Sequence, residues 1–308
     1  MVGLIGKTAM RYIVIAGPTA SGKSGLAMSV ARRFNGEIIG CDSVQLYRGF
    51  DIGSAKPTLA ERKEIPHHMI DVADWDQEFD ANIFAKAARE RIDEVISRQR
   101  LPIVVGGTGL YLRALWGTQF DELPRNLTLR QELEQFSNDE LHAKLKRGDP
   151  KRAGEIHLND RFRLLRAVEL ITLLGQPISE MKQNDSDARL ESLFILLMPD
   201  RSILLDRIRT RIDVMITEGL IDEVQDLLNT GCSPEAKPMM SIGYRQVVEF
   251  LRGEFVRSDL AEKINIATRQ YAKKQKTWFQ KLEPDLLLAD AGDEQKVFDL
   301  IVSNFSTK

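Results

Sequence analysis

The chain has 308 residues, of which 43% are hydrophobic and 29% charged, as in a globular protein of one large domain or two ordinary ones. No window of 18 uncharged apolar residues occurs, which excludes a transmembrane helix, and two isolated cysteines exclude a disulfide framework and favour the reducing cytoplasm. The formal net charge of −2 gives no indication of a nucleic-acid partner, so any site for a polyanion must come from local clustering of basic residues.

Strands and helices alternate along the first 120 residues. Short apolar runs predict buried strands at residues 12–16, 37–40 and 101–105. Amphipathic spacing predicts helices at 23–34 and 80–99. Strands and helices that alternate in this way predict an α/β fold, a parallel sheet with helices on both faces.

The pattern changes between residues 121 and 190, where charge is dense and no strand is convincing. Helical segments are predicted around 128–146 and 160–174. We therefore predict an all-helical insertion over 121–190, within a core domain formed by 1–120 and 191–308. After a returning strand at 192–198, the predicted elements are helices at about 200–217, 219–230, 241–252 and 258–282, a strand at 285–288 and a helix at 293–305.

A phosphate-binding motif lies between the first strand and the first helix. The segment GPTASGKS fits the pattern GxxxxGK[ST] of a P-loop, and its residues are Gly17, Pro18, Thr19, Ala20, Ser21, Gly22, Lys23 and Ser24. Glycines let successive N–H groups turn inward around an anion, and the helix N-terminus adds a positive dipole. Lys23 supplies a charge for phosphate oxygens, and the Ser24 hydroxyl can ligate Mg²⁺. The alternative, a glycine-rich turn that binds nothing, is disfavoured because the motif follows a strand and opens a helix. The fold is thus predicted to be P-loop NTPase-like.

Asp42 follows the second predicted strand. In an open parallel sheet the carboxyl ends of the strands line the ligand crevice, so Asp42 should project beside the P-loop. The alternative is an aspartate that caps its own turn through the backbone, which is common.

A basic segment occurs near the C-terminus. Residues 269–281 hold five basic and no acidic residues, and Arg269, Lys273 and Lys276 share one helix face. Tyr271 and Trp278 offer stacking surfaces among these charges. Basic charge with interleaved aromatic rings suits recognition of a single-stranded RNA loop, and the alternative is a solvated helix face.

Six segments spread along the chain resemble, in the same order, motifs of the tRNA dimethylallyltransferases, the IPP transferase family. The longest is DSVQLYRGFDIGSAKP at residues 42–57, similar to the family's DSxxxYxGxxIGTAKP. The others are PHHMID at 66–71, VGGTGLYL at 105–112, RLLRAVE at 163–169, SIGYRQ at 241–246 and ATRQYAKKQKTW at 267–278. Together they are more specific than the P-loop. Ser24 and Ser54 stand where threonine is common, and neither difference removes a hydroxyl.

This resemblance implies transfer of a dimethylallyl group from dimethylallyl diphosphate to N6 of adenosine 37, in the anticodon loop of tRNAs that read codons starting with U. The products are N6-dimethylallyladenosine and diphosphate. The P-loop would hold the donor's diphosphate, with Mg²⁺ near Ser24. Asp42 would take the N6 proton, Thr108 would bind the donor's bridging oxygen and Arg211 the leaving group. The alternatives are an ordinary helix N-cap for Thr108 and a solvated helix face for Arg211.

The resemblance also implies the partners, a tRNA anticodon stem-loop and dimethylallyl diphosphate, with no membrane and a monomeric, cytoplasmic enzyme. The helical insertion is expected to contact tRNA. The residues implied in tRNA binding are Asp42, Ser43, Val44, Gln45, Thr108, Arg130, Arg163, Arg166, Gly243, Tyr244, Arg245, Lys273, Lys274, Gln275 and Trp278.

Two other functions share the P-loop. A small-molecule nucleotide kinase would need a base pocket and a pair of lid arginines, and an RNA-binding P-loop switch protein would need neither Asp42 nor Thr108. A zinc site is disfavoured because no HExxH motif or Cys/His cluster occurs. The adjacent His67 and His68 point to opposite sides of an extended segment and are expected to pack beside the site.

Overall fold

The computed structural model describes residues 10–117, 124–180, 189 and 191–305. The chain divides into two compact units, one formed by residues 1–117 with 186–308 and the other by 118–185. The first unit carries the sheet, and the second is helical in its described part. Within the described ranges, no helix combines the length and the apolar character that a membrane span requires.

The first unit is built on one six-stranded sheet in which every pair is parallel, with the order β3-β2-β4-β1-β5-β6. The strands are β1 (Tyr12–Ala16), β2 (Gly36–Cys41), β3 (His67–His68), β4 (Leu101–Gly106), β5 (Ser192–Leu197) and β6 (Leu286–Leu288). The parallel α/β fold predicted from the sequence is confirmed. The two-residue strand β3 was not predicted, because it is too short to give a hydrophobic pattern.

Thirteen α-helices accompany the sheet in the described residues. They are α1 (Lys23–Phe34), α2 (Leu59–Glu64), α3 (Ala81–Ser97), α4 (Gly109–Leu115), α5 (Leu127–Glu134), α6 (Asn138–Gly148), α7 (Pro150–Glu155), α8 (Arg161–Leu174), α9 (Arg201–Thr217), α10 (Leu220–Asn229), α11 (Tyr244–Leu251), α12 (Arg257–Phe279) and α13 (Glu294–Phe305).

The core lies on both faces of the sheet, as the period of a strand requires. Val14 of β1 belongs to a cluster with residues of α3, α4, α9, α11 and α12, whereas the neighbouring Ile13 and Ile15 belong to a cluster with α1 and α13. All five residues of β1 are buried, which explains their continuous apolar run.

Strand register sets the position of the functional loops. Ala16 pairs with Gly106, and Cys41 pairs with the same Gly106. The three central strands therefore end at one level, and the loops after β1, β2 and β4 begin side by side at the carboxyl edge of the sheet.

The helical unit contains α5 to α8 around a core of leucines and other aliphatic residues, Leu141 and Leu145 among them. The segment predicted to be helical around 128–146 is helical, but the chain forms two helices there, α5 and α6, with a break between them. Ser137 begins α6 with a capping box, because its hydroxyl accepts the Glu140 N–H while the Glu140 carboxylate accepts the Ser137 N–H. The predicted boundary at residue 121 lies outside the described residues.

Candidate active site

The P-loop follows β1 and leads directly into α1. Ala20 and Gly22 have positive φ angles of 61° and 94°, which turn the backbone around a concave centre. Within the described ranges, the N–H groups of Ala20, Gly22, Lys23 and Ser24 have no hydrogen-bond partner. Together with the N-terminus of α1, these free donors form a site suited to an anion.

Three side chains from two later helices hold the P-loop from outside. The Thr19 N–H donates to Gln275 Oε1 at 2.9 Å, and Arg207 Nη1 donates to the Ser21 carbonyl at 3.2 Å. Arg211 Nη1 contacts Thr19 Oγ1 at 3.4 Å. Arg207 precedes Arg211 by one helical turn on α9, and sequence reasoning missed it although the i, i+4 spacing was visible.

Lys23 is partly buried, and its Nζ donates to the Pro18 carbonyl at 3.1 Å. Burial, with the positive charge of Arg211, lowers its pKa to about 8, and the Asp42 carboxylate opposes this shift. Burial also lowers the pKa of Arg211, and the negative charge of Asp42 opposes this shift. The structure therefore gathers Lys23, Arg211 and Asp42 around the P-loop.

Asp42 begins the loop after β2. Its Oδ1 accepts the N–H groups of Val44 at 2.8 Å and Gln45 at 3.3 Å, so the aspartate does cap its own turn. Among the described residues, Oδ2 has no hydrogen-bond partner. Asp42 can therefore cap its own turn and also meet a substrate, because Oδ1 fixes the turn and Oδ2 remains available.

Thr108 occupies the N-cap position of α4, but its side chain makes no capping hydrogen bond, so it is not an ordinary N-cap. Its hydroxyl lies near the Tyr271 phenol. Burial, and then the Asp42 charge, raise the Tyr271 pKa to about 12, which keeps the phenol neutral. Sequence reasoning treated Tyr271 only as a stacking surface, and no sequence signal placed it beside Thr108.

Several residues expected to contact tRNA are instead interior. Tyr244 is fully buried and donates to Glu223 Oε1 at 2.6 Å, and burial raises its pKa. Gln275 is 8% exposed, with both ends of its amide bonded to protein groups. A buried group whose polar atoms are already paired has none left for RNA, which disfavours direct side-chain contact by these two residues, and their roles in tRNA binding stay predictions.

The remaining expected tRNA residues of the first unit reach the surface to different extents. Lys273 and Lys274 are exposed, and Arg245 is exposed with its Nε 3.5 Å from Glu249. Trp278 is partly buried against Gly109. Gly243 is buried, and four others are partly buried: Ser43, Val44, Gln45 and Thr108. Gln45 Nε2 donates to the carbonyls of Ser54 and Ala55 at 3.1 and 3.0 Å.

The three arginines expected on the helical unit also differ. The Arg163 side chain is 68% exposed, and Arg130 lies over the exposed ring of Phe162, 5.5 Å from its centroid. Arg166 donates to the buried Glu169 at 2.8 Å and to the Pro124 carbonyl at 3.0 Å. Arg166 is therefore bonded within its own unit, and its role in RNA contact stays a prediction.

A basic groove of about 520 Å³ runs between α9 and α12 and reaches Pro18 of the P-loop. Its floor is apolar and includes Leu204 and Ile208. Its basic lining residues are Arg201, Arg269, Lys273 and Lys276. Sequence reasoning missed Arg201, because it belongs to a different predicted helix from the other three.

Ser24 is the P-loop residue predicted to ligate Mg²⁺. It is exposed in the first turn of α1. No cluster of three or more histidine, cysteine, aspartate or glutamate side chains suited to a metal occurs among the described residues. One hydroxyl beside a phosphate site fits Mg²⁺, which takes most of its ligands from water and substrate phosphates.

A P-loop at the carboxyl edge of an all-parallel sheet, followed directly by a helix, defines a P-loop NTPase-like protein. A family model described as "IPP transferase" matches residues 45–282, most of the chain. Curated relatives are more than 40% identical to the chain over more than nine-tenths of its length. The chain belongs to the IPP transferase family.

Among these relatives are a "tRNA dimethylallyltransferase" of Desulfosudis oleivorans and a "tRNA dimethylallyltransferase 1" of Pelobacter propionicus. The first is 41% identical, covering 97% of this chain and 96% of the relative. The second is 43% identical, covering 92% and 94%.

Two solved structures are similar to the whole chain. The tRNA isopentenylpyrophosphate transferase of Bacillus halodurans is 34% identical, with a TM-score of 0.71 and coverage of 96% of this chain and 97% of that one. A eukaryotic dimethylallyltransferase acting on tRNA is 30% identical, with a TM-score of 0.78, and covers 97% of this chain and 77% of that one.

Proposed function

We propose that this protein is a tRNA dimethylallyltransferase, which moves the dimethylallyl group of dimethylallyl diphosphate to N6 of adenosine 37 in tRNA. The tRNAs are those that read codons starting with U, and the products are N6-dimethylallyladenosine and diphosphate. Family membership supports the reaction. The observation that carries it is the free Oδ2 of Asp42 at the end of β2, beside the P-loop and in the electrostatic reach of Lys23 and Arg211.

The donor would bind with its diphosphate in the P-loop. Breaking the carbon–oxygen bond leaves an allylic cation-like carbon and places negative charge on the diphosphate. Fixed N–H donors and cations aimed at that charge stabilise the transition state more than the ground state. The P-loop amides, Lys23 and Arg211 are suited to this role. When bound, Mg²⁺ would add further charge near the Ser24 hydroxyl.

The acceptor nitrogen must lose a proton as it bonds to carbon. Asp42 is the candidate base, because Oδ2 is available while Oδ1 holds the carboxylate in place. A carboxylate is a weak base, which suffices when N6 already carries positive charge from the new bond. Thr108 would hydrogen-bond the donor's bridging oxygen, and the Tyr271 phenol lies near its hydroxyl.

RNA would lie on the basic surface of α12, where Lys273 and Lys274 are exposed and Lys276 and Arg269 line the groove. The target base is stacked in its loop and must be extruded to reach Asp42. On the helical unit, Arg163 and the Arg130–Phe162 pair offer charge with an aromatic face. The cytoplasm, where tRNA is modified, suits the two free buried cysteines.

One assay separates this function from the two alternatives. The protein is mixed with bulk tRNA that lacks the modification, and either dimethylallyl diphosphate labelled in its prenyl group or ATP labelled in its γ-phosphate is added. Prenyl label in tRNA is the expected result. Transfer of phosphate from ATP to a small nucleotide would instead show a kinase, and RNA binding without transfer would show a switch protein.

A further inference from the structure

Gln275 of α12 lies between two loops of the candidate active site. Its Oε1 accepts the Thr19 N–H at 2.9 Å, and its Nε2 donates to the Gly107 carbonyl at 2.9 Å. The side chain is 8% exposed, so both bonds are made almost out of contact with water. One amide therefore links the P-loop to the loop that carries Thr108.

This link requires a primary amide at residue 275 and a close approach of that side chain to the backbone of Gly107. A side-chain amide offers an acceptor at one end and a donor at the other, whereas an ionised carboxylate offers acceptors alone. Gly107 allows the approach, because a Cβ there would lie 2.5 Å from Gln275 Nε2 and 3.0 Å from the Gly17 carbonyl oxygen.

Two neighbours on the same face of α12 extend the contact. Tyr271, four residues earlier, lies near the Thr108 hydroxyl, and Trp278, three residues later, packs so closely on Gly109 that a Cβ there would lie 2.6 Å from the indole. The same helix exposes Lys273 and Lys274 elsewhere on its surface. This face of α12 thus serves the donor site.

We propose that Gln275 is a positioning residue: it sets the distance between the P-loop and Thr108 and does not contact RNA. Through Thr19 it holds the P-loop in the form that binds diphosphate, and through Gly107 it holds the threonine for the bridging oxygen. The expected effect of Gln275 on the rate of prenyl transfer rests on the proposed function, whereas its expected effect on diphosphate binding does not.

Two variants and a matched control test this role. Gln275→Glu keeps an acceptor for the Thr19 N–H but loses the donor to the Gly107 carbonyl, and Gln275→Met keeps the length of the side chain while losing both. The control is Gln270→Glu, which makes the same chemical change at an exposed position of the same helix. Circular dichroism and melting temperature establish that each variant is folded.

Inorganic pyrophosphate binding is measured by calorimetry, tRNA binding by filter retention, and prenyl transfer by single turnover. Both Gln275 variants should bind pyrophosphate at least about tenfold more weakly, as expected when a buried group loses its partner, and should transfer the prenyl group more slowly. Gln270→Glu should keep wild-type pyrophosphate binding. Gln275→Glu should bind tRNA no more weakly than Gln270→Glu, because Gln270 lines the basic groove proposed for RNA whereas Gln275 is buried.

The pH dependence supplies a readout that loss of packing would not give. A protonated carboxyl group regains the donor to the Gly107 carbonyl, so the pyrophosphate affinity of Gln275→Glu relative to Gln275→Met should rise as pH falls. Taking the ratio of the two variants cancels the titration of pyrophosphate and of the rest of the site.

Three results would overturn the proposal. A tRNA affinity of Gln275→Glu well below that of Gln270→Glu, with wild-type pyrophosphate binding, would make Gln275 an RNA contact. Wild-type pyrophosphate binding and rate in folded Gln275→Met would remove any positioning role, as would a pH-independent ratio of the two variants. If the wild-type protein transfers no prenyl group, the proposed function fails, while the pyrophosphate measurements still decide the role of Gln275.

Discussion

Tyr244 and Glu223 share a 2.6 Å hydrogen bond, and the same carboxylate accepts three consecutive backbone N–H groups, those of residues 51–53. This segment leads to Ser54, whose carbonyl oxygen lies 3.4 Å from Arg211 Nη2. The buried tyrosine therefore supports the loop beside Arg211.

Tyr244→Phe should lower the free energy of unfolding by about 1–3 kcal/mol, because the partly buried Glu223 carboxylate loses a donor. Its affinity for tRNA should not change. Urea unfolding and filter binding measure the two effects. The adjacent exposed Arg245 gives the comparison: Arg245→Gln should keep wild-type stability and weaken tRNA binding. A weaker tRNA affinity in Tyr244→Phe at unchanged stability would contradict this assignment.

Pyrophosphate affinity should fall as pH rises through about 8. In the ligand-free protein the Lys23 pKa is lowered to about 8, so the ammonium charge is lost above that pH, and an anion binds the charged form better. Lys23→Met should bind pyrophosphate more weakly and lose this part of the pH dependence. Calorimetry of both proteins between about pH 7 and 9 measures it.

The stability of Lys23→Met has a defined sign. The folded-state pKa lies below the unfolded value of 10.5, so the charged lysine opposes folding below about pH 8, and stability due to Lys23 rises with pH between the two values. Lys23→Met should therefore melt no lower than the wild type at neutral pH. A lower melting temperature would show that Lys23 stabilises the fold.

Thr108→Val should lose roughly a hundredfold in turnover, the scale of one lost transition-state donor. Helix α4 should remain intact, because the Thr108 side chain makes no capping bond to it. Thr108→Ser keeps the hydroxyl and should retain most activity. Turnover with saturating substrates and far-ultraviolet circular dichroism provide the measurements. Equal activity of the valine and serine variants would exclude the hydroxyl from catalysis.

Replacing Lys273, Lys274 and Lys276 with glutamine should weaken tRNA binding and flatten its salt dependence. Each lost phosphate contact removes about 0.7 from the slope for a single strand, or about 0.9 for a duplex. The affinity for dimethylallyl diphosphate should stay nearly unchanged, because none of the three lysines bonds the P-loop among the described residues.

Filter binding across a salt series measures the slope for this triple variant. Lys63→Gln, at an exposed position of α2, is the control and should leave the slope unchanged. A wild-type slope in the triple variant would mean that this surface is only solvated, and would direct attention to Arg163 on the helical unit.

The sheet and the P-loop were predictable because their signals are local. Continuous Val/Ile runs indicate strands buried on both faces, and the segment GPTASGKS fits the P-loop pattern without any knowledge of the fold. Register then brings Asp42 and Thr108 to one edge, as the topology of a parallel sheet requires.

The direction of side chains on later elements was not predictable. Periodicity identifies a helix, but which loop each face contacts depends on tertiary packing. Gln275 and Tyr244 lie in sequence segments of polar or mixed composition, yet both side chains are buried and hydrogen-bonded within the protein. Arg207 was missed for the same reason, since a basic residue on a helix becomes a P-loop contact only when the helix packs there.

Single turnover with Asp42→Asn tests the central claim most directly. The asparagine keeps an Oδ1 acceptor for the Val44 N–H, so the turn and the donor site stay in place while the base is lost. Mass spectrometry of digested tRNA locates the prenyl group. We predict that the wild type adds it to N6 of adenosine 37, and that Asp42→Asn binds dimethylallyl diphosphate normally but reacts at least roughly a hundredfold more slowly. Prenyl transfer at the wild-type rate by the variant, or a wild-type product modified at any other atom, would contradict this account.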